Sequence, residues 1–287
     1  MNYALDALWW RLTDKDVRAL ASILTAPALW QTGRELPVRQ LLGEQGFRYL
    51  LELDSNPEPL KQHLAAEAPF GHRLGFYAES LLAFWLARAP HTQLLARNLP
   101  VRHESGKQTL GALDYVAKLN GVCYHIELTC KYYGSIQADP SKMVGLNTDD
   151  RLSDKAAKLV KQLALSSGEP GKAVLRDAGI EADKCQSVSL VRGVGFAVEG
   201  QAFQSAPLNP NGWHGRYLKP GEGLPLKDDA FFYILPQMDL LAPARVEPEQ
   251  CCDSTVIASS SDVLFALVEK RPDGMMHEIL RMMKPAG

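Results

Sequence analysis

The sequence predicts an α/β protein whose central part runs in the order helix, three strands, helix, strand. Three observations support this fold class. Residues 73–88 form a strongly apolar segment of helical length, three segments between residues 94 and 133 have strand character, and residues 151–166 are amphipathic at helical spacing. Because the second and third strand segments meet at Asn120-Gly121, an antiparallel hairpin is expected at the centre.

The chain divides into three regions by composition. Residues 1–70 alternate apolar and charged positions at helical spacing, with breaks at Pro27, Pro37 and Asn56-Pro57, and predict a helical N-terminal region. Residues 71–200 contain the α/β core. Residues 201–287 are rich in Pro and Gly with short apolar runs, and we expect them to pack on the core as a C-terminal extension.

The core elements follow one another at short intervals. A helix over 73–88 should end before Pro90, and a strand is expected over 94–101. Strands over 109–119 and 122–133 flank the Asn120-Gly121 turn.

Beyond a loop at 134–150, a helix is expected over 151–166 and a further strand over 187–198. This second helix carries an apolar stripe of Leu152, Ala156, Leu159 and Leu163. Another side of it carries the polar residues Arg151, Lys155, Lys158 and Gln162.

Composition restricts the function classes. The chain has 287 residues, 46% of them hydrophobic, and a formal net charge of -2, so any contact with nucleic acid must be local. Five cysteines without a CxxC pair favour a reducing compartment. The first residues lack the pattern of an export signal, and the longest apolar stretch is too short to span a bilayer. We therefore expect a cytoplasmic protein that is not embedded in a membrane.

The hairpin brings two acidic residues together. Counting back from the Asn120-Gly121 turn, Asp114 lies opposite Glu127, with about 4.5 to 5.5 Å expected between their Cβ atoms. Like charges in that position destabilise a sheet, and a hard cation such as Mg²⁺ would offset the repulsion. By strand parity, one face of the hairpin is uninterruptedly apolar, and the carboxylates share the other with His125, Thr129 and Lys131.

Structural alternatives exist for each acidic residue. One carboxylate of the pair would be protonated, or paired with Lys118 or Lys131, on a solvated sheet surface. Glu79 is the only charged residue between 74 and 86, and either has a partner or lies at a surface edge near the helix start. His125 is expected to be a hydrogen-bonded sheet histidine.

These residues resemble the motif of a known superfamily. Glu79, Leu113-Asp114 and the run from His125 to Lys131 are similar, in order and spacing, to the PD-(D/E)XK phosphodiesterases. That resemblance implies a restriction-endonuclease-like core of one helix, three antiparallel strands, a second helix and a further strand. More closely, segments from Gly75 to Leu152 resemble a bacterial family named domain-of-unknown-function family 1853.

The resemblance implies a nuclease that hydrolyses phosphodiester bonds in DNA or, less readily, RNA. Asp114 and Glu127 would ligate Mg²⁺ or Mn²⁺, Glu79 would support the metal from the helix, and Lys131 would activate the attacking water. The superfamily's lysine normally stands two residues after the acid, where this chain has Thr129. On a regular strand Lys131 would lie about 13 Å along from Glu127.

Basic residues near this motif are candidates for nucleic-acid contact. Arg151, Lys155 and Gln162 on the second helix are assigned to nucleic-acid binding, with Arg97, Arg102 and Lys107 as further phosphate contacts. Two other functions stay open. One is a catalytically inactive protein of nuclease fold that binds nucleic acid or a protein partner, and the other is a hydrolase of small phosphodiesters.

Overall fold

The protein is described from a computed structural model, in which eight helices and one sheet of nine strands are defined. The described residues are 11–103, 108–137, 139–201, 206–219, 221–224 and 230–286. This confirms a mixed α/β fold with a helical N-terminal region.

The N-terminal region contains four helices from residue 11 onward, and the first of these has a defined start. The carboxylate of Asp14 accepts hydrogen bonds from the backbone amides of Asp16 and Val17, which would otherwise lack partners at the helix start. The four helices are α1 (Lys15–Thr25), α2 (Val38–Leu42), α3 (Gly46–Ser55) and α4 (Glu58–Glu67).

Helix α5 (Leu74–Arg88) is buried along most of its length. Buried residues include Leu81, Trp85 and Leu86, because α5 lies between the N-terminal helices and the sheet. It ends at the residue before Ala89-Pro90, as a helix does when a proline follows. Helices α6 (Leu152–Ala164), α7 (Glu169–Asp177) and α8 (Ser254–Ser259) follow later in the chain.

The nine strands form one sheet in the order β1-β2-β3-β4-β5-β9-β8-β6, with β7 paired to β9. The strands before residue 200 are β1 (Thr92–Arg102), β2 (Thr109–Leu119), β3 (Val122–Ser135) and β4 (Gln186–Ala197). The later strands are β5 (Gly215–Tyr217), β6 (Phe231–Ile234), β7 (Arg245–Val246), β8 (Val263–Lys270) and β9 (Met276–Lys284). The C-terminal strands therefore continue the sheet of the core instead of forming a separate one.

The hairpin of β2 and β3 has the expected register. Pairing runs from Leu119 opposite Val122 to Tyr115 opposite Ile126, and the turn residues Asn120 and Gly121 have φ values of 47° and 82°, as a type I′ turn requires. The ladder between the two strands ends there. Beyond it β2 stays paired with β1, while β3 continues in parallel beside β4 as far as Ser135. The two strands thus separate at a fork next to Tyr115.

Both faces of the hairpin are covered. Tyr115, Ile126 and Leu128 belong to the main core beneath α5. The opposite face, which the structural alternative for the acidic pair placed in solvent, packs against α6 and α7. Leu113 and Val116 both belong to the cluster on this second face. A regular strand would place these two residues on opposite faces, and the irregularity lies where β2 turns away from β3 at the fork.

Helix α7 was not expected from the sequence. It lies in the link between α6 and β4, where Gly168, Pro170 and Gly171 indicated a loop. Pro170 occupies the first turn, where the missing amide has no cost, and Leu175 is fully buried. The helix closes the second face of the sheet over Leu113 and Val116.

Candidate active site

Asp114 and Glu127 meet at the fork between β2 and β3. The backbone amide of Asp114 donates to Glu127 Oε1 at 3.3 Å, and the backbone amide of Leu128 donates to Asp114 Oδ2 at 3.1 Å. Each carboxylate therefore occupies the position that a backbone carbonyl would fill if the ladder continued. The fork itself holds the two acidic groups next to each other.

His125 is the direct partner of Glu127. It is fully buried, and its Nε2 lies 2.7 Å from Glu127 Oε1. Its Nδ1 lies 2.9 Å from the hydroxyl of Ser166, in the turn that follows α6, and 3.3 Å from that of Ser187 on β4. His125 is thus a hydrogen-bonded sheet histidine, and it fixes the orientation of the Glu127 carboxylate.

The negative charges of Asp114 and Glu127 are not fully compensated by the described residues. Glu127 is 1% exposed, and its Oε2 is buried with no hydrogen-bond partner among the residues the structure describes. Burial, and then the negative charge of Glu127, raise the pKa of Asp114 to about 7. An unpaired buried carboxylate oxygen is costly, so either a proton or a cation is expected at this position.

Glu79 lies on the other side of the fork. The Tyr115 hydroxyl donates to the backbone carbonyl of Glu79 at 2.7 Å and ties α5 to β2. Burial raises the pKa of the Glu79 carboxyl, which also feels the negative charge of Glu127. Glu79 was expected either to have a partner or to lie at a surface edge. It is half-buried, and its carboxylate accepts no hydrogen bond from the described part of the chain, so it matches neither alternative fully.

A cleft of about 720 Å³ opens at the fork. Its walls include the start of α5, the free edge of β3, the loop at 145–150 and the C-terminal strands β6 and β8. Glu79, Lys131 and Lys155 line it, and so does Leu128, whose amide is bound by Asp114. Asp114 and Glu127 are not among the residues that line it. A cleft with convergent polar groups and a carboxyl of raised pKa, that of Glu79, has the character of an active site.

Lys131 is held away from the acidic pair. Its Nζ lies 2.6 Å from Asp150 Oδ2, and the Tyr133 hydroxyl donates to Asp150 Oδ1 at 2.9 Å. Both residues lie on β3, so Asp150 fastens the 145–150 loop to that strand. Sequence reasoning included Asp150 in a family motif without predicting this contact, because the contact depends on how the loop folds back.

Lys155 points into the cleft without an ion-pair partner. It lies near the start of α6 and is half-buried, and its ammonium forms no hydrogen bond or salt bridge within the described chain. Burial, then the positive charge of Lys158, lower the pKa of Lys155, while the charges of Asp114 and Asp150 act in the opposite direction. Lys155 is therefore a half-buried ammonium that interacts electrostatically with one of the two acidic groups.

The other expected nucleic-acid contacts do not converge on the cleft. Arg151 is exposed at the start of α6, and Gln162 lies seven residues beyond Lys155, about 10 Å along the helix. Arg97 forms an ion pair with Glu67 at 2.6 Å. Arg102 is exposed near the end of β1, and Lys107 lies outside the described residues.

The carboxylates at the fork have the oxygen ligands that a hard divalent cation requires. Within the described residues, no three His, Cys, Asp or Glu side chains form a ready-made metal cluster. Mg²⁺ commonly uses only one or two carboxylates and takes its other ligands from water and phosphate. The unpartnered Oε2 of Glu127 and the raised pKa of Asp114 are what a pair of hard-cation ligands would show without the cation, so these residues fit Mg²⁺ or Mn²⁺.

Comparison with known proteins identifies a family and no close relative of assigned function. No curated protein and no solved structure matches the chain. In the described part of the chain, no helix has both the length and the apolar character needed to cross a lipid bilayer. The model of one family, described as a domain of unknown function (DUF1853), matches residues 18–284, and the chain belongs to that family.

Proposed function

We propose that this protein is a Mg²⁺-dependent nuclease with a PD-(D/E)XK, restriction-endonuclease-like core that acts on DNA, with RNA as the alternative substrate. The single observation that carries the proposal is the meeting of Asp114 and Glu127 at the strand fork, beside the 720 Å³ cleft. Two carboxylates held this closely in a buried place destabilise the fold, and such an arrangement is typical of functional sites.

Each side chain has a defined task in this proposal. Asp114 and Glu127 would hold the metal, with Glu79 supporting it from α5 through its negative charge. A bound Mg²⁺ would supply a nucleophilic hydroxide at neutral pH and neutralise charge on the scissile phosphate. His125 is a positioning residue: its bond to Glu127 Oε1 turns Oε2 toward the position where a ligand is needed.

Lys155 is the better candidate for the lysine that contacts the phosphate. Lys131 is bound to Asp150, whereas the Lys155 ammonium lies unpaired in the cleft and interacts electrostatically with Asp114. A half-buried ammonium in the cleft can stabilise negative charge that develops on the phosphate. We therefore propose that Lys131 fixes the 145–150 loop and that Lys155 acts on the substrate.

The proposal is tested by incubating the purified protein with linear duplex, circular and single-stranded DNA and with RNA, in Mg²⁺ or Mn²⁺. We expect cleavage of at least one substrate, its abolition by EDTA, and a loss of at least about 100-fold in Glu127→Gln. Glu44→Gln, which changes an exposed glutamate far from the fork in sequence, is the matched control and should cleave normally. Equal behaviour of wild type and Glu127→Gln on every substrate would remove the enzymatic claim.

A second candidate function is a catalytically inactive protein of the same fold that binds nucleic acid or a protein partner. The observation that favours it is the Lys131–Asp150 ion pair, which engages the lysine closest to the superfamily motif. This candidate predicts that oligonucleotides are bound in a gel-shift assay and stay intact with either metal. Cleavage that depends on Glu127 would exclude it.

A further inference from the structure

A second polar cavity lies outside the candidate active site. It has a volume of about 50 Å³ and is located between the end of α1, the middle of β4 and the C-terminal strand β9. Tyr132 lines both this cavity and the active-site cleft, so the two lie on either side of one side chain. Its walls carry two arginines, Arg192 and Arg281, that the proposed nuclease chemistry does not use.

Arg192 is a buried cation with an incomplete set of partners. It is 5% exposed; its Nε donates to the Ile23 carbonyl at 2.6 Å, and its Nη1 to the Val191 carbonyl at 3.4 Å. The first bond caps the C-terminus of α1, whose partial negative charge compensates part of the positive charge. Nη2 is buried and has no acceptor among the described residues.

The second arginine does not supply the missing negative charge. Arg281 donates from Nε and Nη2 to the two carboxylate oxygens of Glu278, at 2.9 and 2.8 Å, and from Nη1 to the Leu240 carbonyl. Glu278 is the only carboxylate that lines the cavity among the described residues, and Arg281 already neutralises it. The other titratable groups in the wall, His214 and Tyr132, carry no negative charge at neutral pH, since burial lowers the pKa of His214 and raises that of Tyr132.

We propose that this cavity is a binding site for a small monovalent inorganic anion of halide size, held by Nη2 of Arg192. The charge of the wall sets the valence, because two arginines and one glutamate leave one positive charge uncompensated. The volume limits the size of the ligand, because about 50 Å³ admits a chloride ion or a few water molecules. The bound anion would join α1, β4 and β9 behind the wall of the cleft.

Thermal unfolding tests the site with chloride as the probe. At constant ionic strength, replacing sodium gluconate by sodium chloride should raise the Tm of the wild type by roughly 2–4 °C for each tenfold increase in chloride above its Kd. Arg192→Met should lose this dependence. Arg176→Met, which removes an exposed arginine paired only with Glu169, should keep it.

Diffraction gives a second measurement that does not depend on a folded Arg192 variant. Crystals of the wild type grown in sodium bromide should show an anomalous peak within hydrogen-bond distance of Arg192 Nη2. A wild-type Tm that is the same in sodium chloride as in sodium gluconate at every concentration would overturn the proposal. So would an ordered water molecule, with no anomalous peak, at that position.

Discussion

At the scale of single residues, the site is defined by a conflict between two carboxyl groups. The pKa of Asp114 is raised to about 7 because the group is buried and faces Glu127, so the folded chain binds a proton there that the unfolded chain releases near pH 4. This proton stabilises the fold fully at low pH, and its contribution is lost as the pH rises toward 7. A metal ion would substitute for the proton above that pH.

The first prediction concerns this titration. In metal-free buffer, the free energy of unfolding of the wild type, measured relative to Asp114→Asn, should fall between about pH 4 and pH 7 by at most about 4 kcal/mol and then stay level. The asparagine cannot ionise, so the variant lacks this component. Chemical denaturation at a series of pH values measures the difference. A difference that is constant across this range would show that the pKa of Asp114 is not raised in the folded protein.

The second prediction distinguishes the two lysines. Lys155→Met should reduce the cleavage rate by about 100-fold or more, because the substituted side chain keeps its apolar stem and loses the ammonium in the cleft. Lys161→Met, on the exposed side of the same helix, should cleave like the wild type. Single-turnover assays with saturating Mg²⁺ give the rates.

The role of Lys131 is tested in the same assay. If Lys131→Met abolishes cleavage while Lys155→Met retains it, the role expected from the superfamily motif is correct and our assignment of Lys155 is wrong. If Lys131 only fixes the loop through Asp150, Asp150→Asn should reproduce the effect of Lys131→Met.

Contacts between single residues could be predicted from the sequence where a short turn determines which residues lie opposite each other. A two-residue turn and the period of a strand predict that Asp114 lies opposite Glu127. The observed pairing agrees with this count from Leu119–Val122 to Tyr115–Ile126, and the ladder ends just before the acidic pair. Ser166 and Asp150 were not assigned to the site, because their contacts with His125 and Lys131 depend on how α6 and the preceding loop pack on the sheet. Nothing in local spacing encodes those contacts.

At the scale of elements, the packing of α6 and α7 determines the position of Ser166, whose hydroxyl contacts His125. The turn that carries Ser166 lies between the two helices, and α7 packs closely on it at Gly171. A Cβ atom at Gly171 would lie 1.9 Å from the Leu165 carbonyl oxygen, which is too close to be tolerated without movement of the backbone. The small residue that indicated a loop is therefore a packing requirement between two elements.

The third prediction tests this packing. Gly171→Ala should destabilise the protein by roughly 1–3 kcal/mol, since the added methyl group overpacks a backbone contact. Gly75→Ala is the matched control: Gly75 is also helical, has open space around its Cα, and should stabilise the fold by up to about 1 kcal/mol. Urea denaturation of both variants measures the effects. Stabilisation by both substitutions would mean that α7 does not pack on the turn in this way.

Element boundaries in the first 200 residues were largely predictable. The α5 helix, the three strands β1 to β3 and the α6 helix have strong periodicity and clear end signals such as Pro90 and Asn120-Gly121. Helix α7 was missed because Gly168, Pro170 and Gly171 lower local helix propensity, while burial of Leu175 compensates only in the folded protein.

At the scale of the whole molecule, one sheet connects the core with the C-terminal extension. The short strand β5 bridges β4 and β9 in parallel, and through it the C-terminal strands extend the core sheet. Strands β5, β6 and β7 are only two to four residues long and pair with strands that are distant in sequence, so local patterns could not predict them. The consequence for function is direct, because Leu235 and Leu264 in this part form one wall of the cleft.

The central claim is that Asp114 and Glu127 together bind a divalent cation, and a calorimetric titration with Mn²⁺ at pH 8 tests it most directly. At that pH the carboxyl of Asp114, whose pKa is about 7, has lost its proton. We predict that the wild type and Glu44→Gln bind Mn²⁺ with the same affinity, and that Asp114→Asn and Glu127→Gln each lose this binding. The same titration curve for all four proteins would contradict the account.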